Sequence, residues 1–228
     1  MSNSPLVVTS AHRRHRTLAE RALADLQEAI LSGELAPGTP LRLEALARSL
    51  DMSPMPIREA VRELERLGLA EHVPHRGARV SRVSVEDLRD TYAARLLLES
   101  AAIRLAAGRF ADEHAQAARA SLDEHVTAFR AGDEVRSRAA HADFHFGLYA
   151  ASGSSWLPRL IRPLWENSER YRIASLYDRG SLERRRAEHE QILEACAAQD
   201  EDAAEDALRG HLVTTEELVA RHMGSALP

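Results

Sequence analysis

The sequence contains no lysine, so all 30 of its basic residues are arginines. Because alanine is also abundant, we interpret this as a compositional bias, and the arginine count alone indicates no function. A single cysteine, Cys196, excludes an intramolecular disulfide and fits a reducing compartment. No apolar run approaches the ~18 residues that span a bilayer, and residues 1–16 lack the features of a signal peptide. We therefore predict a cytoplasmic protein with no membrane partner.

The net charge of -5, taken alone, argues against a nucleic-acid partner. The charge is uneven, however. Residues 1–83 carry 12 of the 30 arginines and 10 of the 35 acids, and the remainder carries 18 arginines and 25 acids. The first part is thus net +2 and the second net -7, and a basic segment is what attraction to phosphate requires. We predict a disordered basic arm over 1–16, a small domain over 17–83 and a larger one over 84–228.

The small domain has the pattern of a winged helix-turn-helix. Residues 35–40 are rich in proline and glycine and predict a turn. Asp51-Met52-Ser53 predicts the turn between two helices, and the second of these runs from Pro54 to about Leu67. Two strands follow, at about 70–73 and 78–83.

The predicted DNA contacts lie at the start of the second helix and at the tip between the strands. A recognition helix presents its N-terminal residues to base edges, so Arg58 is the best candidate, and its planar guanidinium suits guanine or phosphate. Gly77 permits a positive φ, which leaves Arg76 free to enter a minor groove or bind phosphate. The predicted set is Ser53, Met55, Arg58, Arg62, His75, Arg76 and Gly77.

This domain resembles the N-terminal DNA-binding domain of GntR-type bacterial transcription regulators. The resemblance lies in the segment PGTPLRLEALARSLDMSPMPIREAVRELERLGLAEHVPHRGARV. It implies contacts from Arg58, Arg76 and Gly77 to double-stranded operator DNA. Many members of that family carry an arginine directly after the serine of the turn, where this chain has Pro54. Their operator sequences therefore do not transfer to this chain.

The larger domain is helical throughout by pattern, so the predicted fold class is mainly α, a winged helix-turn-helix followed by an all-α bundle of six or so helices. We expect Pro163 to kink the fourth of these helices. The helices are expected near 85–107, 111–131, 134–151, 155–177, 181–198 and 200–222.

Four histidines lie on apolar helix stripes of the larger domain. His141 and His145 are four residues apart and share a helix face with apolar residues. His189 and His211 each fall on the apolar stripe of their own helix. Converging imidazoles bind Zn²⁺, Ni²⁺ or a related ion, so we predict a divalent metal site at these four residues. The other histidines of this domain lack the pattern and are expected at the surface: His114, His125 and His222.

Two hypotheses apply to Arg95 and Glu99, which also share an inward face. In the first, Glu99 is the anion that a buried arginine requires, and the pair is structural. In the second, Arg95 binds a ligand carboxylate through two hydrogen bonds. Further candidates for the ligand pocket are Asn167, Arg170 and Tyr171.

The larger domain resembles the effector domain of the FadR-type branch of the GntR regulators over residues 85–222. Its landmarks are the Arg95–Glu99 spacing, Phe144-His145, Glu188-His189 and His211-Leu212. The resemblance implies a divalent metal held by three histidines and by an aspartate four residues before the first of them. It also implies an organic acid that completes the coordination. This chain has His141 in place of that aspartate, so either His141 is a fourth nitrogen ligand or the site has three protein ligands.

The sequence thus predicts a ligand-responsive transcription regulator, most simply a repressor released by a small carboxylate effector. A homodimer follows because each recognition helix reads one half-site. One alternative is a metal sensor in which the ion itself is the effector. A remote alternative is a metal-dependent hydrolase, since three histidines and an open position suit activation of water. We expect no enzyme, because Glu188 and Glu190 point about 100° away from His189 on their helix.

Overall fold

The computed structural model describes residues 17–175 and 182–226, so the predicted basic arm over 1–16 lies outside the described residues. The described chain folds around two hydrophobic cores, one formed within residues 22–80 and one within 88–223. The first contains the helices α1 Leu18–Leu31, α2 Leu43–Ser49 and α3 Pro54–Arg66 and the strands β1 Pro40–Leu41, β2 Ala70–Val73 and β3 Gly77–Val80.

The first core is that of a winged helix-turn-helix. The Thr17 hydroxyl accepts a hydrogen bond from the Glu20 amide at 3.1 Å and begins α1 with a capping box. Gly68 follows α3 with φ of 75°, a backbone conformation that glycine adopts without strain. The three strands form an antiparallel sheet in the order β1-β3-β2.

The prediction of a turn over residues 35–40 was wrong at Pro40, the last residue of that segment. Pro40 and Leu41 form β1, which pairs with Arg79 and Ala78 of β3. The strand has only two residues, so it carries no alternation that a sequence pattern would reveal. It exists because β3 offers it a partner.

The second core is an all-α bundle, as predicted. Serine and aspartate cap two of its helices: Ser84 accepts from the Asp87 amide and Asp133 accepts from the Arg136 amide, each at 3.1 Å. No described helix is both long enough and apolar enough to cross a bilayer. The helices of the bundle are α4 Val85–Ala107, α5 Asp112–Ala131, α6 Glu134–Ala150, α7 Leu157–Ser175, α8 Leu182–Ala197 and α9 Glu201–Ala226.

Two helices of the bundle also contact the first domain. On α6, Arg138 forms an ion pair with Glu28 of α1. On α7, the Arg170 guanidinium donates to the Ser81 carbonyl, just after β3, at 2.9 Å. These two helices therefore connect the bundle to the winged helix-turn-helix.

Candidate functional site

The exposed face of α3 presents the predicted reading residues. Ile57 and Leu64 are fully buried against the first core, which turns Arg58 and Arg62 towards solvent. Met55, in the first turn of the helix, is 61% exposed. Ser53 occupies the N-cap position without a side-chain capping bond, and its side chain is exposed.

The tip between β2 and β3 presents the other predicted contacts. His75 and Gly77 both have positive φ, 61° and 80°, and the Arg76 amide closes the turn on the Val73 carbonyl at 3.0 Å. His75, Arg76 and Gly77 are all exposed. The tip therefore projects from the sheet as a wing.

A surface groove of about 370 Å³ separates α3 from the wing. It is lined by four arginines, and Glu65 is the single acid among the residues that line it. Two of the lining residues, Arg42 and His72, were not predicted from the sequence. Arg42 escaped notice because it lies between β1 and α2, where the sequence carries no recognition pattern. The four arginines are Arg42, Arg58, Arg62 and Arg76.

The second site is a buried cluster of four histidines, His141 and His145 on α6, His189 on α8 and His211 on α9. None is more than 7% exposed. One ring nitrogen of each lies within 4.8 Å of the corresponding nitrogen of all the others. The structure thus brings together the four histidines that the sequence predicts as metal ligands.

Three of these imidazoles are held through their Nδ1 atoms. His189 Nδ1 lies 2.6 Å from the Arg185 carbonyl, and His211 Nδ1 lies 2.9 Å from a Glu188 carboxylate oxygen. His145 Nδ1 lies 3.2 Å from the Tyr149 hydroxyl, which itself donates to Glu99 at 2.6 Å. Each contact needs a proton on Nδ1, because the partner atom acts as the acceptor. We therefore assign the Nδ1–H tautomer to all three, which leaves a lone pair on each Nε2.

These lone pairs face one another inside the bundle. The Nε2 atoms of His145 and His189 lie 3.0 Å apart. Burial, together with the neighbouring histidines and arginines, holds the pKa of both residues well below the usual value for histidine. Neither ring therefore supplies a second proton to bridge the gap, and the two nitrogens are set to share a cation.

His141 differs from the other three because an arginine faces it. Arg172 Nη1 lies 2.7 Å from His141 Nδ1 and 3.2 Å from its Nε2. Glu169 lies beside Arg172, with its carboxylate 3.1 Å from Arg172 Nε, and Trp165 packs against the His141 ring with centroids 5.2 Å apart. Sequence reasoning did not single out Trp165, Glu169 or Arg172, although their spacing of three to four residues places them on one face of α7.

The Arg95–Glu99 pair is buried, with its two side chains 3% and 0% exposed. Arg95 Nε donates to Glu99 at 2.7 Å and its Nη1 donates to Ser168 at 3.0 Å. Burial acts to lower the pKa of Arg95, but Glu99, Tyr92 and Tyr149 together raise that pKa above the usual value. These contacts are those of the structural hypothesis, in which Glu99 balances the buried arginine.

The predicted ligand residues Asn167, Arg170 and Tyr171 make their hydrogen bonds on another face of α7. Asn167 donates to Thr91 at 2.9 Å, Arg170 contacts Ser81, and the Tyr171 hydroxyl donates to Asp87. Of these partners, Ser81 follows β3 at the end of the first domain, and Asp87 and Thr91 lie in the first two turns of α4. The structure therefore places the three residues at the junction between the domains.

The expectation that His125 lies at the surface was wrong. His125 is buried, with its Nδ1 2.9 Å from the Ser137 carbonyl, and burial lowers its pKa to about 4. The signal was present, since Leu122 and Val126 lie with it on the buried stripe of α5. Glu188 contacts the cluster through His211 of α9, a contact between separate helices that the sequence did not indicate. His114 is half-buried and His222 is exposed.

The sequence matches two known domain families. Residues 18–80 match the DNA-binding domain of the bacterial regulatory proteins of the gntR family, and residues 90–214 match the FCD domain. The chain belongs to the GntR family of bacterial regulatory proteins. It is a DNA-binding transcription regulator with an FCD ligand-binding domain, and its relatives are transcription regulators rather than enzymes.

Named relatives span nearly the whole chain. The protein is 31% identical to the probable D-xylose utilization operon transcriptional repressor of Paenarthrobacter nicotinovorans, over 90% of this chain and 89% of that protein. It is 27% identical to the HTH-type transcriptional repressor GlaR of Escherichia coli K12, over 87% of this chain and 94% of that protein. E. coli McbR/YncC has the same fold, with a TM-score of 0.77 at 22% identity over 90% of this chain and 98% of that one.

Proposed function

We propose that this GntR regulator is a homodimeric repressor whose FCD domain binds a divalent metal ion and a small organic anion, and that the anion releases the operator. Two relatives named as repressors support the sign of regulation. The groove between α3 and the wing supports the DNA contacts, since its arginines suit phosphate and guanine.

The observation that carries the metal proposal is the convergence of the Nε2 atoms. Bonds of about 2.05 Å to one ion would separate two nitrogens by roughly 2.9 Å at a right angle and 3.3 Å at the tetrahedral angle. His145 and His189 Nε2 lie 3.0 Å apart, within that interval. The Nδ1 contacts to Tyr149, Arg185 and Glu188 act as the outer hydrogen bonds that orient metal-binding histidines.

The donor set also indicates the kind of ion. Within residues 17–175 and 182–226 the cluster offers imidazole nitrogens and no carboxylate ligand, and nitrogen donors suit Zn²⁺ or Ni²⁺ better than Mg²⁺ or Ca²⁺. When bound, the ion supplies a double positive charge to which an anion is attracted. A small carboxylate is the effector class that such a buried positive site favours.

The test is metal binding by the purified protein. His145→Ala and His211→Ala should each lower metal content after zinc or nickel loading, because each removes a nitrogen donor. His125→Ala is the matched control, since it removes a buried histidine of the same domain that lies outside the cluster. Elemental analysis that finds the loaded wild-type protein free of metal would refute the proposal.

A metal sensor is the second candidate, favoured by the four nitrogen donors at the site. In that case the ion alone would change operator affinity. A gel-shift titration with zinc or nickel, run with and without a panel of small carboxylates, separates the two functions. Release that needs a carboxylate supports the proposed repressor, and release by the ion alone supports the sensor.

A further inference from the structure

The first turn of α3 offers DNA an apolar surface. Its three residues, Pro54, Met55 and Pro56, carry no side-chain N–H or O–H group. Both prolines also lack the backbone N–H with which the start of a helix binds phosphate. The Met55 side chain is 61% exposed, whereas Ile57 and Leu64 of the same helix are buried. The start of the recognition helix therefore presents a methyl thioether to solvent.

A single exposed apolar side chain carries no inference by its exposure alone, and Met55 is distinguished by its position. Met52, in the turn before α3, is partly buried and packs against the first core, whereas Met55 is not among the residues of that core. A recognition helix presents its N-terminal residues to base edges, and Met55 is the second residue of α3. Met55 therefore lies where the identity of a base is read.

Met55 belongs to the same row of side chains as two arginines of the groove. Arg58 follows it by three residues and Arg62 by seven, and these spacings place all three on one face of a helix. Arg58 and Arg62 line the groove between α3 and the wing. DNA that reaches these arginines would therefore meet Met55 at the end of the row nearest the start of α3.

The chemistry of Met55 limits which part of a base it can recognise. The base edges in the major groove present hydrogen-bond donors, acceptors and one apolar group, the C5 methyl of thymine. Methionine has a flexible, polarisable side chain without a hydrogen-bond donor, so this methyl is the partner that suits it. Three residues advance a helix by about 4.5 Å, and adjacent base pairs are stacked at roughly 3.4 Å. A thymine at Met55 would therefore lie close to the base that Arg58 contacts.

We propose that Met55 determines operator specificity by packing against the C5 methyl of a thymine in each half-site, beside the base contacted by Arg58. This inference rests on the DNA contacts of the proposed function and adds the identity of a base. Burial of one methyl group gives about a fourfold preference for thymine over a base that lacks it. The preference does not depend on the phosphates, which carry no sequence information.

The test removes the methyl group from the DNA, so it does not depend on the folding of a variant. Duplexes are first selected from random sequence by the wild-type protein. Each thymine of one selected duplex is then replaced singly by deoxyuridine, which lacks the C5 methyl and keeps every hydrogen-bonding group. We expect replacement of one thymine in each half-site to weaken binding about fourfold in gel-shift titrations. Replacement of the other thymines should leave the affinity unchanged.

Three variants show whether Met55 is the partner of that methyl. Met55→Ala should bind the thymine and deoxyuridine duplexes equally, because the side chain that contacts the methyl is absent. Met55→Leu keeps an apolar side chain of similar size and should retain a preference for thymine. Arg66→Ala is the matched control, since Arg66 is exposed at the far end of the same helix and pairs with Glu63. It should retain the wild-type difference between the two duplexes.

The outcomes separate this inference from the proposed function. If the wild type selects no preferred sequence, the reading of bases by α3 fails, and the role of Met55 fails with it. If a sequence is selected but its half-sites contain no thymine at which deoxyuridine weakens binding, this inference alone is overturned. It is overturned as well if Met55→Ala loses as much affinity on deoxyuridine substitution as the wild type does.

Discussion

Among single residues, we propose that the arginines of α3 and the wing determine how DNA is read. Pro54, at the first helical position of α3, offers no side-chain hydrogen-bond donor. Arg58 lies one turn further on, exposed and facing the groove shared with the wing. We therefore expect recognition to depend on Arg58, Arg62 and Arg76, and most of all on Arg58, which is nearer than Arg62 to the N-terminus of the helix, where base edges are reached.

Arg58→Ala should weaken operator binding by about 1–3 kcal/mol, roughly 5- to 150-fold, because it removes a planar donor from the reading face. Gel-shift titration at a fixed salt concentration measures the change. Arg66→Ala is the matched control, because Arg66 is an exposed arginine at the far end of the same helix, paired with Glu63. Equal affinities for Arg58→Ala and the wild type would contradict the reading role.

Much of the candidate site could be predicted from the sequence, because the four histidines lie on apolar helical stripes and such stripes pack inward. Two of their partners are also local, since Tyr149 and Arg185 each lie four residues from the histidine they contact. The contacts of Arg172 with His141 and of Glu188 with His211 span 31 and 23 residues. They depend on how separate helices pack, which no local pattern encodes.

Among the helices, α6 and α7 matter most because each contacts both the histidine cluster and the DNA-binding domain. On α6, Arg138 pairs with Glu28 one turn before His141. On α7, Arg170 contacts Ser81 two residues before Arg172 contacts His141. A shift of either helix at the cluster would therefore move a contact of the winged helix-turn-helix, which is the physical connection that a ligand response requires.

Arg170→Ala should loosen the junction between the domains, because the Ser81 carbonyl loses its donor and Asp87 loses a cation 3.5 Å away. We expect amide hydrogen exchange over residues 81–87 to rise by about tenfold, the effect of losing roughly 1.4 kcal/mol of local stability. Metal content should not change.

Arg162→Ala provides the comparison, since Arg162 lies on the same helix and pairs with Glu166 away from the junction. If both variants leave exchange at residues 81–87 at the wild-type rate, Arg170 does not hold the junction.

For the molecule as a whole, we propose that a second copy binds at the exposed apolar residues of α4 and of the start of α7. Leu97 and Leu105 on α4 are 75% and 46% exposed, Trp156, just before α7, is 65% exposed, and Leu160 on α7 is 50% exposed. The two helices are neighbours, joined by the hydrogen bond from Arg95 to Ser168. Because each chain carries one recognition helix and a two-fold operator needs two, a second copy is the partner that we propose for these residues.

Leu97→Arg should convert the protein to a monomer, since a charge at the centre of an apolar interface is costly to bury. Light scattering after size exclusion should give the 25.3 kDa mass of one chain for this variant and twice that mass for the wild type. Val135→Arg places the same charge on α6 at another exposed apolar position and should remain dimeric. A dimeric Leu97→Arg would exclude this face.

The position of Arg172 has a consequence for the thermodynamics of the whole regulator. In the proposed function, a divalent ion would enter a cluster that the Arg172 cation already contacts, with the Glu169 carboxylate 3.1 Å from Arg172 Nε. An anion bound beside the ion would offset the added positive charge and strengthen ion binding, and by linkage the ion would strengthen anion binding by the same factor. The concentration of small anions in the cell would then set how firmly the ion is retained.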